Sequence, residues 1–450
     1  MSDSIHLASK NVLLPEGVKP ATLVINNGVI SSILPERVAS TKAQPVRDYG
    51  DALIMPGVID CNVCIHEPGH EDWEGFEFAT AAAVAGGITT IIDLPLNNIP
   101  PTTVLAALDE KIMLAQGRIA VNCGFWAGIN IKEREQIAQL ADAGVMGFYA
   151  TLENSDATVL PALTLDELKK IAPDVAATGL PLLVQPRISA RQKKNALKLK
   201  DRYSYEDFLA KFPDEIESDS IEKIIDLLKK HHLKLHITEI SCSESVKLLS
   251  ESRTSGIIFS AGTSPHHLYF SSDTIPDQDP RFKNEPPIRS LENNKSMLEA
   301  LASELIDIIY SSHRPCPAEM KDLHAGDIEG SVSGISSLQF LLPIMWSIAE
   351  RKKITLEKFA DLMCRRPAEF LGLKNKGRLA TGYDADLVIW NPTKKMKVNS
   401  NTIRSRHKVT AYEGQMLSGV VQETWVNGQL AYDRGAFPVT SAGQILRSSY

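Results

Sequence analysis

Residues 55–69 read MPGVIDCNVCIHEPG, and the run Val58–Val63 inside them decides the fold. It reads as the first of a set of strands, most of which are continuous apolar runs rather than alternating ones, as expected of parallel strands buried on both faces. Working outward, seven further runs of this kind follow: Ile88–Leu94, Val121–Ile129, Val145–Leu152, Leu180–Ile188, Leu233–Ser241, Ile257–Ala261 and Ile306–Ser311. Helical patterns separate them, among them FEFATAAAVAG, LTLDELKKIA and SIEKIIDLLKKHH. Strand and helix alternating eight times predicts an α/β protein built on a (β/α)8 TIM barrel, here over residues 53–379, with later helices extending the shell.

The two ends of the chain share a different texture. ATLVINNGVISSILPE is a pair of β-prone runs joined at Asn27-Gly28, and ETWVNGQLAYDRG repeats the device at Asn427-Gly428. Asn-Gly is a strong signal for a tight hairpin, because both residues tolerate positive φ. Residues 1–52 and 380–450 are therefore expected to form one small composite β-sandwich.

Bulk properties exclude several classes of function. Of the 450 residues, 43% are apolar and 23% charged, with a net charge of -7 and no sustained basic run. That argues against nucleic acid or an anionic membrane surface as partner. No apolar stretch approaches the ~20 residues that span a bilayer. The start, MSDSIHLASKNVLL, lacks a secretory pattern, and six scattered cysteines are not a disulfide framework, which together predict a reducing cytoplasm. Cys61 and Cys64 form a CxxC, but positions i and i+3 on a regular strand face opposite sides, so joint ligation or redox pairing is not expected. The charged stretch after the fifth strand, ARQKKNALKLKDRYSYEDF, reads as a solvated loop or helix.

Several pieces, in order, carry a more specific signal: MPGVID, EPG, WEGFEFATAAAVAGGITTIIDLPLNNIPPTT, PPIR with LEN, RPCPAEMK, GRLATGYDADLVIW, RHKVTAYEG and FPVTSAGQIL. Together they resemble the allantoinases of the amidohydrolase superfamily and, more distantly, dihydroorotases and hydantoinases. The resemblance implies a barrel with a composite sandwich, assembled as a homo-oligomer (dimer or tetramer). It also implies two divalent ions at the barrel mouth, whose bridging hydroxide attacks a cyclic ureide while an aspartate moves the proton.

Carried over residue by residue, the resemblance implies that every metal-ligand position is substituted. The paired histidines of the first strand fall on Asn62 and Cys64, and the bridging lysine of the fourth on Tyr149. The histidines ending the fifth and sixth strands fall on Gln185 and Glu239, and the general-base aspartate on Ser312. Of these, Cys64 and Glu239 alone are strong ligands, so no metal and no other cofactor is expected. The pocket segment Trp-Gly-Gly-Ile becomes Val332-Ser333-Gly334-Ile335, and an acidic position becomes Gly262.

Two readings follow. One is a metal-independent enzyme or ligand-binding homologue acting on a small amide- or ureide-like metabolite. In it, Glu239, His313 and Cys64 are the candidate catalytic groups, and Asn62, His66, Asn97, Tyr149, Gln185, Arg187, His266, Arg289 and Ser312 the candidate substrate-binding groups. His313 or Arg314 would offset the Glu239 charge, and Cys64 would need His266 or His313 as its base. The other reading is an inactive structural or regulatory subunit of an active partner. An ordinary metal-dependent allantoinase is the third alternative.

Overall fold

A computed structural model describes residues 4–41, 45–152, 159–187 and 201–448. Five strands open the chain: β1 (Ile5–Leu14), β2 (Gly17–Asn26), β3 (Val29–Leu34), β4 (Val46–Asp48) and β5 (Leu53–Pro56). Eight barrel strands follow. They are β6 (Val58–Val63), β7 (Ile88–Asp93), β8 (Asn122–Gly128), β9 (Gly147–Ala150), β10 (Pro181–Val184), β11 (Lys234–Ile237), β12 (Ser260–Thr263) and β13 (Ile308–Ile309). The chain ends with β14 (Leu387–Lys397), β15 (Met416–Val426) and β16 (Gln429–Asp433).

Strands β6 to β13 pair in sequence order, parallel throughout. The ring is joined where Val63 bridges His313 and the Cys64 N–H donates to the His313 carbonyl at 2.9 Å. Strands from both termini form a separate sheet in the order β16-β15-β14-β5-β1-β2-β3, with β4 on β1. Asn27 and Asn427 both take positive φ at the expected hairpin turns. The barrel with its composite sandwich is therefore the observed architecture. The chain's last segment returns beneath the barrel, where the Leu446 N–H donates to the Cys123 carbonyl. A Cβ on Gly443 would lie 2.0 Å from the Val121 carbonyl, so this close approach requires glycine.

Local chemistry accounts for the helices that space the strands. Leu165–Thr178 begins with a capping box, Thr164 against Glu167, and ends at Gly179 in the left-handed conformation. Its buried face (Leu168, Ile171, Ala172, Val175) belongs to the apolar layer between helices and barrel. No described helix is long and apolar enough to cross a membrane.

Two expectations need correction. Cys61 and Cys64 join one apolar cluster with Ile92, Trp126 and Tyr310, because a register shift between Asp60 and Val63 breaks the alternation of β6. Both thiols are free and buried, and burial raises both above the ordinary range. The seventh strand starts at Ser260, not Ile257, and Ile258 is 92% exposed. Of the charged stretch after β10, residues 190–200 lie outside the described residues, while Tyr205–Ala210 is a helix with Tyr205 and Phe208 buried.

Candidate functional site

In a parallel barrel, the residues just beyond the strand C-termini converge at one mouth. Four of them are non-glycine residues with left-handed backbone: His66 after β6, Asn97 after β7, Glu239 after β11 and Ser312 after β13, with φ of 65°, 57°, 59° and 51°. Such strain costs about 1–3 kcal/mol per residue and clusters where side chains must be aimed. At these positions it directs polar groups toward the barrel axis.

A continuous hydrogen-bond chain crosses that axis. The Tyr149 hydroxyl donates to Gln185 Oε1 at 2.9 Å, and Gln185 Nε2 donates to Glu239 Oε2 at 2.8 Å. The other carboxylate oxygen, Oε1, accepts from the Ser312 hydroxyl and from Arg314 Nη2, the latter at 2.8 Å. A second branch lies beside it. Asn62 Nδ2 donates to Thr238 Oγ1 at 2.8 Å, the Tyr310 hydroxyl sits 2.7 Å from the same oxygen, and that hydroxyl accepts the Glu239 N–H at 2.6 Å. Tyr310 fits because Gly262 stands opposite; a Cβ there would lie 2.4 Å from the Tyr310 ring.

Charge follows from this geometry. Burial is the largest single influence on the Arg314 guanidinium and works against its charge. The Glu239 carboxylate, together with the other acidic groups facing it, Glu285 among them, outweighs burial and holds the arginine firmly charged. Burial pushes the Tyr149 phenol well above its ordinary range, consistent with its role as donor. The Cys64 thiol is pushed up to about 12, chiefly by burial, and remains neutral. Burial takes His66 down to about 3 and His266 well below its ordinary value. Asp60, beneath the network, is pushed up to about 6 by burial although the Asn62 and Ser311 N–H groups donate to it.

Above the network lies a cavity of about 410 Å³. Cys64, His66, Trp73, Asn97, Gln185, Arg187, Lys283 and Arg314 line it, with residues 329–333 forming one wall. Of the candidate residues, Cys64, His66, Asn97, Gln185 and Arg187 thus border the cavity, and Asn62, Tyr149, Glu239 and Ser312 belong to the network. Arg187 pairs with Glu285 at 3.0 Å.

The remaining candidates lie elsewhere. Arg289 is bound to Asp214, the Ser241 hydroxyl and the Phe212 carbonyl, away from the cavity lining. The His266 ring is hydrogen-bonded to the Tyr412 hydroxyl at 2.7 Å. His313 does not meet Glu239. Its Nδ1 accepts the Ser337 N–H at 3.0 Å, which leaves the proton on Nε2, 3.7 Å from Glu74 Oε1. The cation on Glu239 is Arg314, and no imidazole among the described residues is hydrogen-bonded to Cys64.

The donor set suits a divalent ion poorly. Glu239 already accepts three hydrogen bonds and faces a guanidinium, Cys64 is a neutral thiol, and the other groups are neutral amides and hydroxyls. Among the described residues, no three His, Cys, Asp or Glu side chains are grouped to hold a metal ion. Sequence reasoning missed Lys283, Thr238 and Tyr310; each is brought in by a contact between distant segments that no local motif encodes.

Known proteins resemble this chain over almost its whole length. The chain is 34% identical to the allantoinase of Streptomyces avermitilis over 442 residues, covering 97% of each chain. It is 35% identical to the allantoinase of Arabidopsis thaliana, covering 98% of this chain and 91% of that protein. The solved structure of L-hydantoinase (dihydropyrimidinase) from Arthrobacter aurescens superposes with a TM-score of 0.90 at 28% identity, covering 98% of this chain and 99% of that one. With the model of the amidohydrolase family matching residues 53–431 as well, this allantoinase-like chain belongs to that family.

Proposed function

We propose that this protein is an allantoinase-like amidohydrolase without the binuclear metal site, whose barrel-mouth cavity takes a small amide- or ureide-type metabolite. The observation that carries this is the chain Tyr149–Gln185–Glu239, closed by Ser312 and Arg314. Tyr149, Gln185, Glu239 and Ser312 stand where the resemblance expects the bridging lysine, two histidines and the general base. Asn62 and Cys64 take the places of the first-strand pair. In this reading Cys64, His66, Asn97, Gln185 and Arg187 meet the ligand, while Asn62, Tyr149, Glu239 and Ser312 hold the floor.

The open, polar cavity favours ligand binding over a purely structural subunit, whose disused pocket would tend to fill with apolar side chains. Binding is also favoured over chemistry. Glu239 has most of its acceptor capacity engaged, and Cys64 has no hydrogen-bonded base among the described residues. The same reading expects a dimer or tetramer in the cytoplasm. An ordinary metal-dependent allantoinase is the rival favoured by the 30–35% identity to allantoinases.

Elemental analysis of the purified protein, with an allantoin ring-opening assay in added zinc, manganese or cobalt, separates the two. The expected result is substoichiometric metal and no turnover, with allantoin or a ureido analogue raising the melting temperature. About two tightly held divalent ions per chain together with ring opening would overturn the proposal.

A further inference from the structure

The cavity wall at residues 329–334 is held from behind by two buried lysines. Lys283 Nζ donates to the carbonyls of Glu329 at 2.7 Å and Ser331 at 2.6 Å. Lys321 Nζ donates to the carbonyls of Val332 at 2.8 Å and Gly334 at 2.6 Å, with longer contacts to Pro280 and Lys283. The backbone answers in kind, since the Val332 N–H donates to Met320 and the Gly334 N–H to Lys283. The two lysines are 7% and 4% exposed.

Among the described residues neither ammonium touches a carboxylate, and the acids around them are engaged by other cations. Lys283 faces Glu285, Glu329, Asp327 and Lys211. Glu285 pairs with Arg187, Glu329 with Lys211, and Asp327 with Arg202. Lys321 faces Cys316, Lys283, Asp279 and Glu285, and Asp279 pairs with Arg281. Buried ammonium groups solvated only by carbonyl dipoles are costly and leave a positive field beside them. Lys283 itself lines the cavity, and an ammonium has three N–H donors, of which two are used on the wall. Arg314 also lines the cavity, and its Nε is buried with no hydrogen-bond partner among the described residues.

We propose that the cavity receives a small carboxylate-bearing ligand whose charge is met by Lys283 and Arg314, while Lys321 is a positioning residue that fixes the 329–334 wall. The assignment rests on the reading that this cavity binds a ligand. Burial lowers both lysines from their ordinary value, Lys321 to about 8. A bound anion favours the protonated forms. Carboxylate binding therefore takes up protons once pH enters Lys283's lowered range, and weakens as pH rises through it.

A matched pair of probes tests this: N-carbamoylglycine, a carboxylate, and N-carbamoylglycinamide, its neutral carboxamide. Titration calorimetry on the intact protein at pH 7 and 9.5, in buffers of different ionisation enthalpy, reads affinity and proton uptake. The carboxylate should bind at least about tenfold tighter at pH 7 and lose several-fold at pH 9.5, while the carboxamide stays constant. Lys283→Met should erase the preference and Lys283→Arg should keep it. Carboxamide affinity in the same variants reports whether the cavity is intact. Equal binding of the two probes by the unmodified protein would overturn the carboxylate assignment and leave the pocket reading standing. Failure of both probes to bind would overturn the two together.

Discussion

The barrel carries a buried charge network at each end, and the two are finished differently. At the seam with the terminal sheet, Lys376 pairs with Asp386 and Asp384. Asp386 also accepts from the Asn427 N–H at 2.7 Å and from Asn122 Nδ2 at 3.0 Å, and Asn427 Nδ2 in turn donates to Asn122 Oδ1 and the Ala442 carbonyl. These side chains tie a barrel strand to strands from the chain's end, and none of their buried polar atoms lacks a partner. At the mouth, Glu239 is as deeply buried, yet Asn62 Oδ1, Asn97 Oδ1 and Arg314 Nε are buried with no partner among the described residues. Native proteins satisfy nearly all buried polar atoms, so leftover donors and acceptors around a cavity mark a surface shaped for something else. The seam is finished as a structural joint, whereas the mouth keeps the unmatched groups that the proposed ligand site would use.

The largest effect should come from breaking the joint. Lys376→Met strands the Asp386 carboxylate in the seam, and removing one partner of a buried pair costs about 3–5 kcal/mol. Denaturant unfolding should show that loss, while ligand affinity at the mouth, measured well below the midpoint, stays within about twofold. A large affinity change would mean that the two ends are coupled, and the comparison would fail. Arg314→Met should cost less, about 2 kcal/mol, because Arg314 serves one carboxylate and is 17% exposed, whereas Lys376 serves two and is 6% exposed. Unlike the seam variant, it should also remove most of the affinity for carboxylates. Loss of stability without loss of affinity would reduce the mouth network to a second joint.

Much of this contrast was open to sequence reading. Parallel strands buried on both faces must be apolar, which made Val58–Val63 and its successors visible, and the strand-end positions gathered Tyr149, Gln185, Glu239 and Ser312 as the resemblance implied. The seventh strand was misplaced because Ile257 and Ile258 carry a strong apolar signal, whereas the strand itself, Ser260–Thr263, is made of small residues. Choosing between His313 and Arg314 was out of reach, because Ser312 takes a left-handed backbone beyond the end of β13, where strand alternation no longer orders the side chains. The lysine clamp was beyond reach, since it depends on where residues 329–334 run and on their carbonyls, to which side-chain identity is blind.

The smallest effect tests whether the mouth network acts as one unit. Tyr149→Phe keeps the ring in the barrel interior and removes only the far donor, leaving Gln185 Oε1 buried with one partner fewer. A single neutral hydrogen bond of this kind is worth about 1 kcal/mol, so global unfolding should shift by roughly that amount. The more telling readout is Gln185. With Oε1 released, the amide is no longer oriented from both sides, and its grip on Glu239 Oε2 should loosen. Double-mutant cycles with Arg314→Met should then show a coupling above about 0.5 kcal/mol between Tyr149 and Arg314, although they touch opposite ends of the chain. Strict additivity would mean that Glu239 is held by independent donors, and the floor would be a collection of contacts instead of a network.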